Sequence, residues 1–477
     1  MAFNSLGFLI FFPVVTLVWF LSPKRYRQAI LLTASIFFYA TWQPLLIVVL
    51  FTCIVTAWAG GLLNSYELIK KNKSFITALT IVPVGILVFF KYYGFIAGSF
   101  EKAAQYLFPS FTLPEFSIAL PVGISFFTFK TLSYIFDTRS GKLQPSKNPV
   151  SVANYIAFFP QILAGPIERG GNFIPQLEKE HRPDPERFRD GLALTLWGLF
   201  KKVVIADNLA VIVNAVYSSP QEHPGLVLIT ATYCFAFQIL CDFSGYSDIA
   251  IGTAKILGFN TMRNFNRPYS ASSVSNFWRR WHISLSSWFR DYLYIPLGGN
   301  RVSIPRWMIN ILIVFSVSGL WHGAGWSFIV WGCLHGLFLI GERSLTKPLS
   351  HVTNLLNLDK APKFLKYARV IITFHLVTFA WIFFRAQNID DAFYITTHLF
   401  DGLGFSTLNL LPYNELLLSG FLIIILLAAQ FIRRNKSGMR WLLSRPLWFR
   451  WGVYAGMVLS VINLRPLVQA GFIYLRF

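Results

Sequence analysis

Two polar clusters in an otherwise apolar chain each contain a histidine. Residues 277–301 read FWRRWHISLSSWFRDYLYIPLGGNR and include His282, and residues 318–336 read SGLWHGAGWSFIVWGCLHG and include His322. A neutral imidazole can take the proton of a hydroxyl group while that hydroxyl attacks, which accelerates such reactions roughly 10²- to 10⁴-fold. Both histidines are therefore candidate catalytic residues, with His322 as the preferred general base. The alternative for His322 is a hydrogen bond between helices.

His322 lies between two apolar segments, where an ionisable side chain is costly unless it is paired or functional. Trp321 and Trp326 are expected to enclose it, and burial among indoles favours the uncharged, basic imidazole. Gly323 allows a ligand or another backbone to approach closely. His335 follows on the next apolar segment, where a contact between helices and a functional role both fit the sequence.

The first cluster has the spacing of a helix. Trp278 and Trp281 are three residues apart, and Trp278 and His282 are four apart, which predicts that His282 is held against an aromatic wall. Tryptophans and arginines are also typical of a helix at the membrane interface, where the arginines reach toward the headgroups. Interface anchoring explains neither His282 nor Asp291, and Asp291 is expected to pair with a neighbouring arginine.

The composition of the chain indicates the type of structure that positions these residues. Of the 477 residues, 55% are hydrophobic and only 13% are charged, a charged share well below that of soluble domains. Eleven apolar runs approach the length that crosses a bilayer as a helix; they lie near residues 6–21, 29–42, 45–63, 75–93, 116–136, 226–241, 306–321, 326–341, 370–384, 416–432 and 447–464. We therefore predict an all-α, polytopic membrane protein with about ten to twelve membrane segments in a single domain, residues 1–477.

The net charge of +21 follows the positive-inside rule. Alternate connections are basic, with the positive residues Lys24, Arg25, Arg27, Lys70, Lys71, Lys73, Arg139, Lys142 and Lys147, whereas the 94–115 connection carries Glu101, Lys102 and Glu115. This predicts an N-terminus outside the cell, with the first run retained as a helix because basic residues follow it instead of a cleavage site. The charge is explained by topology and anionic lipids, so no nucleic-acid partner is expected.

The remaining polar and sulfur-containing residues indicate a function less specifically. Cys53, Cys234, Cys241 and Cys333 occur singly in or beside apolar runs, and we interpret them as packing residues. In CDFSGYSDIAIG, residues 241–252, two carboxylates six residues apart end an apolar run; hydrogen bonding at a helix end and catalysis fit equally well. The sequence has no metal-ligand spacing, so no metal site is expected.

Four stretches together carry a family resemblance. They are CDFSGYSDIAIG (241–252), NFNRPYSASSVSNFWRRWHISLSSWFRDYLYIPLGGNR (264–301), SGLWHGAGW (318–326) and WIFFRA (381–386). The chain resembles the membrane-bound O-acyltransferase family, and within it the branch of bacterial alginate O-acetyltransferases and their peptidoglycan- and cellulose-acetylating relatives. His322 matches the invariant histidine of that family, and His282 matches its second polar residue in the active site.

The resemblance implies a curved helical bundle with a tunnel, in which a cytosolic acyl thioester meets a hydroxyl acceptor from the other side. His322 would be the base, and His282 or a neighbouring indole N–H would stabilise the oxyanion. The tunnel wall would include Trp278, Trp281, Trp321, Trp326 and Asp291. Acetyl-CoA would be a substrate, with no permanently bound cofactor, and its phosphates would meet Arg279, Arg280, Arg290 and Arg301. Anchoring at the membrane interface is the alternative for these arginines.

Three functions fit these features. The first is acetyl transfer from acetyl-CoA, at the bacterial inner membrane, toward an exported polysaccharide such as alginate, peptidoglycan or cellulose. The second is transfer of D-alanine from a carrier protein toward teichoic acid. The third is a transporter without chemistry of its own, which the lack of a two-half internal repeat disfavours.

A separate partner is expected to complete the reaction. The connection from Arg385 to Glu415 contains Asp390, Asp391 and Asp401, which would repel a polyanion such as alginate. We therefore predict that the acetyl group passes to an extracytoplasmic acetyltransferase resembling SGNH hydrolases, within the machinery of polysaccharide biosynthesis. This partner would dock on the 385–415 connection, which is longer than a simple link between helices requires.

Overall fold

The computed structural model describes residues 1–66, 73–114, 119–432, 438–466 and 471–475, and all regular structure within these ranges is helical. The chain forms two compact units. The first contains residues 1–192 and 249–262, and the second contains residues 193–248 and 263–477. The prediction that residues 1–477 are a single domain stays a prediction.

The first unit begins with helices joined by short turns. Its helices are α1 Leu6–Leu21, α2 Lys24–Ala40, α3 Ile47–Leu63, α4 Lys73–Gln105, α5 Ile124–Arg139, α6 Pro149–Ala157, α7 Phe159–Ile162, α8 Gly170–Leu177 and the start of α9 Pro185–Leu199. Gly123 adopts a left-handed φ of 75° at the start of α5, and a Cβ atom there would lie 2.4 Å from the Ile162 carbonyl oxygen. Only glycine allows this close approach.

The second unit contains both histidine clusters. A π-helical turn, Phe200–Ala206, follows α9 and leads into α10 Asp207–Ser218. The later helices are α11 Gly225–Ile256, which ends in the first unit, α12 Val274–Trp278, α13 Ile283–Phe289, α14 Ile304–His322, α15 Trp326–Leu355, α16 Pro362–Arg385, α17 Ile389–His398, α18 Tyr413–Ile432, α19 Gly438–Leu443 and α20 Leu447–Asn463. A second π-helical turn spans Arg290–Tyr294, and a 3₁₀ turn spans Ile473–Leu475.

Seven helical segments within the described ranges are long and apolar enough to cross a membrane: Pro44–Leu63, Thr77–Gln105, Gly225–Ile256, Ile304–His322, Trp326–Leu355, Pro362–Arg385 and Tyr413–Ile432. The other predicted runs correspond to helices α1, α2, α5 and α20, which have 16 or 17 residues and are shorter than a typical spanning helix. The all-α, polytopic membrane architecture is confirmed.

Two features of the predicted topology differ in the structure. Helix α4 continues to Gln105, so Glu101 and Lys102 lie on a helix and not in a connection. The 385–415 connection contains the ten-residue helix α17 and a 3₁₀ turn, Phe405–Leu410. Lys70, Lys71 and Glu115, which entered the orientation argument, lie outside the described residues.

Glycines bring α14 and α15 into close contact. A Cβ atom at Gly319 would lie 2.1 Å from the Phe328 carbonyl oxygen, and one at Gly332 would lie 2.1 Å from the Phe315 carbonyl oxygen. Helices in membranes pack closely where small residues remove side-chain bulk from the interface. This packing fixes the end of α14, which is where His322 lies.

Candidate active site

His322 is the last residue of α14 and is buried. The backbone turns at Gly323, where a Cβ atom would lie 2.1 Å from the Phe328 ring. The group that approaches this glycine is therefore a side chain of the following helix, and not the ligand or backbone that the sequence predicted.

His282 lies in a break between two short helices. Helix α12 ends at Trp278, helix α13 begins at Ile283, and His282 between them has a left-handed φ of 42°. Such a φ is uncommon for a residue with a side chain. The prediction of one continuous helix carrying Trp278 and His282 on the same face is therefore wrong.

Asn264 holds the imidazole of His282. The Asn264 side-chain oxygen lies 3.2 Å from Nδ1 of His282 and also accepts hydrogen bonds from the backbone N–H and the hydroxyl of Ser284. Because this oxygen acts as an acceptor, Nδ1 of His282 carries the proton and Nε2 carries the lone pair. Burial lowers the pKa of His282 to about 3, so the imidazole is neutral at physiological pH.

The two histidines face each other within an aromatic enclosure. Their ring centroids lie 6.4 Å apart, and the Trp321 ring lies 5.7 Å from His282 and 4.9 Å from His322. Phe243 packs 4.6 Å from His282, and Trp331 packs 5.0 Å from His322. The structure thus brings together the two histidines that the sequence assigned to one site.

The tryptophans of the predicted wall occupy different positions. Trp321 packs against both histidines, whereas Trp281 packs 5.0 Å from Trp381 and is fully buried. Trp326 is 56% exposed at the start of α15, and the second indole beside His322 is Trp331. The prediction that Trp326 encloses His322 is therefore corrected to Trp331, which is five residues further along α15 and fully buried.

Tyr474 was missed by the sequence reasoning. Its ring lies 5.4 Å from His322 and 6.2 Å from His282, although it is about 150 residues further along the chain. Within the described ranges, its hydroxyl is buried without a hydrogen-bond partner. No local pattern in the sequence marks this tyrosine, because its position depends on a contact distant in sequence.

A cavity of about 500 Å³ lies within the second unit; neither histidine lines it, but Ile283, the residue after His282, does. Its lining is mostly apolar and includes Trp278, Ser286 and Phe315. Ser318, one helical turn before His322 on α14, also lines it, so the cavity reaches the helix that carries the catalytic candidate. Trp278 lines this cavity, and its indole N–H donates to Nδ1 of His335 at 3.3 Å. Of the two alternatives left open for His335, the structure thus shows the contact between helices.

The four arginines separate into two pairs. Arg279 and Arg290 line the cavity and are exposed, which places them at its mouth. Arg280 instead donates to the Ser270 hydroxyl at 3.1 Å, and Arg301 is exposed outside the cavity lining. Asp291 lies 2.8 Å from Arg290, so the predicted pairing with an arginine is observed.

The carboxylates of the CDFSGYSDIAIG stretch lie inside a helix and not at its end, because α11 continues to Ile256. Asp242 forms a buried ion pair with Lys202 at 2.7 Å, and Asp248 pairs with Lys201 at 2.7 Å. Gly245 between them allows the approach, since a Cβ atom there would lie 2.8 Å from the Gly198 carbonyl oxygen. The sequence left hydrogen bonding at a helix end and catalysis open for these carboxylates. The structure instead shows each of them in an ion pair with a lysine.

Across the described part of the chain, no group of three or more histidine, cysteine or acidic side chains is arranged to hold a metal ion. Cys53, Cys234 and Cys241 are buried, as expected of packing residues, and Cys333 is partly buried beside the Ser316 hydroxyl.

The fold and the site define an integral membrane enzyme with a buried histidine pair. The family model of membrane-bound O-acyltransferases (MBOAT) matches residues 124–386, which include both histidines. The chain belongs to the membrane-bound O-acyltransferase family and is a multi-pass membrane O-acyltransferase.

Several curated relatives match over most of their length. A probable alginate O-acetylase of Azotobacter vinelandii is 36% identical over 454 residues, covering 94% of this chain and 87% of the relative. The peptidoglycan O-acetyltransferase of Helicobacter pylori is 34% identical, covering 82% of this chain and 76% of the relative. The teichoic acid D-alanyltransferase of Bacillus subtilis is 26% identical, covering 78% of this chain and 94% of the relative.

Proposed function

We propose that this protein takes acetyl groups from cytosolic acetyl-CoA and passes them across the bacterial inner membrane for O-acetylation of an exported, alginate-like polysaccharide. The observation that carries this proposal is the buried histidine pair, together with a cavity that reaches the helix of His322 and has two arginines at its mouth. The similarity to alginate O-acetylases favours an acetyl group and a polysaccharide within the wider family.

The cavity would bind the thioester arm of acetyl-CoA. Its apolar wall suits an acyl chain and a pantetheine arm, and the exposed Arg279 and Arg290 suit phosphates. The nucleotide of this donor substrate would remain at the mouth, on the cytosolic side. The topology that we propose with it has the N-terminus outside the cell, on the basis of the placement of basic residues.

His322 would act as the general base. It takes the proton of the acceptor hydroxyl as the oxygen bonds to the thioester carbonyl carbon, and the imidazolium then gives that proton to the departing thiolate as the C–S bond breaks. A hydroxyl is a weak nucleophile without this help. Enclosure by Trp321, Trp331 and Tyr474 excludes water, which would otherwise hydrolyse the thioester.

His282 would have a role different from oxyanion stabilisation. Because its Nδ1–H donates to Asn264, its Nε2 accepts hydrogen bonds and does not donate to an oxyanion. It would instead orient the acceptor hydroxyl next to His322. Trp331 remains as the oxyanion donor, since its buried indole N–H has no acceptor among the residues described.

A hydroxyl group of an extracytoplasmic acetyltransferase would then attack the acetyl ester formed on that acceptor and take the acetyl group, which frees the acceptor hydroxyl, and this partner would complete the transfer to a polymer hydroxyl. The segment 385–415 offers a docking surface for this partner: α17 and the residues after it expose Phe393, Phe400 and Phe405 beside Asp390 and Asp391. The acidic side chains would disfavour direct binding of a polyanion, whereas exposed aromatic rings are typical of protein interfaces.

The test is reconstitution in sealed vesicles, with radiolabelled acetyl-CoA on the cytosolic side and alginate on the other. We expect donor consumption to require this chain, and polymer acetylation to require an added extracytoplasmic acetyltransferase. Polymer acetylation by this chain alone would refute the relay. Consumption of a D-alanyl carrier protein in place of acetyl-CoA would refute the acetyl donor and support the relationship with D-alanyltransferases.

A further inference from the structure

A buried ionic cluster lies next to the active site, and the reaction described above does not use it. Lys202 lies 2.7 Å from Asp207 and 2.7 Å from Asp242, and all three side chains are at most 2% exposed. Replacing buried ion pairs by apolar residues is often neutral or stabilising, because removing the charges from water costs more than their attraction returns. Stability alone therefore does not explain why this ionic cluster is present.

Asp242 also contacts the end of the chain. One of its oxygens, Oδ1, faces Lys202, and the other, Oδ2, accepts a hydrogen bond of 2.8 Å from the backbone N–H of Ile473. A hydrogen bond to a charged acceptor is roughly twice as strong as a neutral one. Lys202 thus fixes the carboxylate on one side, and the carboxylate holds the segment 471–475 on the other.

This C-terminal segment forms one side of the active site. Phe472 is buried and packs 4.2 Å from Tyr246, one helical turn after Asp242 on α11. Tyr474 packs 4.2 Å from Phe243 and contacts both catalytic candidates, His322 and His282. A single short turn has no stability of its own, so the position of Tyr474 depends on contacts such as the one at Ile473.

We propose that Asp242 is a positioning residue: held by Lys202, it anchors the C-terminal segment through the Ile473 N–H and thereby keeps Tyr474 against the histidine pair. This inference rests on the proposed function, because it assigns the anchor a purpose in acyl transfer. Release of the segment would remove the Tyr474 ring from both imidazoles and open the enclosure to water.

Hydrogen–deuterium exchange measured by mass spectrometry tests the anchor without any activity. In the intact protein, we expect backbone amides near Ile473 to exchange about tenfold faster in Asp242→Ala than in wild type, because a charge-assisted hydrogen bond is lost. In Asp242→Asn, which keeps an acceptor oxygen, the exchange rate should lie between those of wild type and Asp242→Ala. Asp248→Asn is the matched control, since Asp248 pairs with Lys201 on the same helix and should leave this exchange unchanged. Equal exchange in Asp242→Ala and wild type would refute the anchor.

Ile473→Pro tests the consequence for the reaction and leaves the ionic cluster intact. Proline removes the N–H donor and is tolerated at the first position of a helical turn, which Ile473 occupies. Ile473→Val keeps the N–H and is the matched control. We expect kcat to fall about tenfold in Ile473→Pro relative to Ile473→Val, with unchanged affinity for acetyl-CoA. Equal kcat in both variants would refute the positioning role. An inactive wild-type protein with the expected exchange pattern would instead count against the proposed function alone.

Discussion

The side-chain oxygen of Asn264 lies 3.2 Å from Nδ1 of His282, and this contact determines which imidazole nitrogen is unprotonated. The assignment of the amide oxygen is supported independently, because the Ser284 backbone N–H donates to the same atom. The arrangement orients the lone pair of Nε2 toward the site. In other acyl-transfer enzymes, too, a second residue orients the catalytic imidazole through a hydrogen bond to Nδ1–H.

Removal of either histidine should abolish most acetyl transfer. We expect His322→Gln to lower kcat roughly 10²- to 10⁴-fold, because general-base help is lost, and the double variant with His282→Gln to be little worse than the poorer single variant, because the two act as a unit. The measurement is release of free coenzyme A by purified protein. His375→Gln, at an exposed position on α16, is the control. Retention of more than about a tenth of the wild-type rate in His322→Gln would exclude it as the base.

The pH dependence should not contain a titration of His282. Because burial lowers its pKa to about 3, this imidazole stays neutral from pH 5 to pH 8 and would gain a proton only in stronger acid. The profile of kcat against pH in this range should therefore have the same shape in His282→Gln as in wild type, at a lower level. A transition near pH 6.5 that is present in wild type and absent in His282→Gln would contradict this prediction.

Donor affinity should distinguish the two pairs of arginines. Arg279→Ala and Arg290→Ala should weaken binding of acetyl-CoA by about 1.5 to 3 kcal/mol, the range for a hydrogen bond to a charged group. Arg280→Ala is the matched control, because Arg280 is directed to Ser270 and not to the cavity. Calorimetric titration in detergent gives the affinities. An equal loss at all three positions would indicate a general electrostatic effect and not a phosphate site.

Close packing of α14 on α15 should depend on the missing side chain at Gly319. Gly319→Ala introduces a Cβ atom 2.1 Å from a carbonyl oxygen, so the helices must separate, and we expect a loss of stability of about 1 to 3 kcal/mol, as for overpacking. Gly341→Ala is the control on α15, since a Cβ atom there meets nothing within 4 Å. Thermal unfolding in detergent measures both. A Gly319→Ala protein as stable as Gly341→Ala would contradict the packing argument.

The exposed aromatic rings after α16 should bind the partner acetyltransferase and should not affect the first transfer, from acetyl-CoA. Phe400→Ser with Phe405→Ser should leave release of coenzyme A from acetyl-CoA unchanged and reduce acetylation of the polymer by the added acetyltransferase. Leu355→Ser with Leu356→Ser, at exposed positions elsewhere in the same unit, is the control. Polymer acetylation at the wild-type rate in the Phe400 and Phe405 variant would exclude this docking surface.

The sequence predicted the helical membrane architecture because long apolar runs have few alternatives in a bilayer. It also predicted that His282 and His322 share a site, although that step depended on a family resemblance. Helical spacing failed at residues 279–282, because the backbone at His282 takes a left-handed conformation that no periodic pattern encodes. It also failed to distinguish Trp326 from Trp331, since both indoles lie on one apolar segment and only their helical phase decides which faces inward.

The residues least predictable from sequence were those joined by distant contacts. Asp242 meets Ile473 across 231 positions, and Tyr474 meets His322 only because of where that segment docks. No rule of sequence spacing predicts contacts between residues that lie this far apart in the chain. Likewise, Arg279 and Arg280 are equivalent in sequence, and they differ only because the end of α12 directs one of them to the cavity.

The π-helical winding of Phe200–Ala206 makes the length of this segment as important as its composition. Its wider turn lets two adjacent lysines reach the same neighbouring helix, Lys201 to Asp248 and Lys202 to Asp242. An α-helix turns about 100° per residue and directs residues five apart to different faces, whereas the wider π-helical turn brings Asp207 beside Lys202. In ordinary α-helical winding of the same residues, Asp207 would leave its lysine even though every charged residue remained. Variants of this protein should therefore preserve the π-helical winding here, since its loss would separate the ion pair without removing any charge.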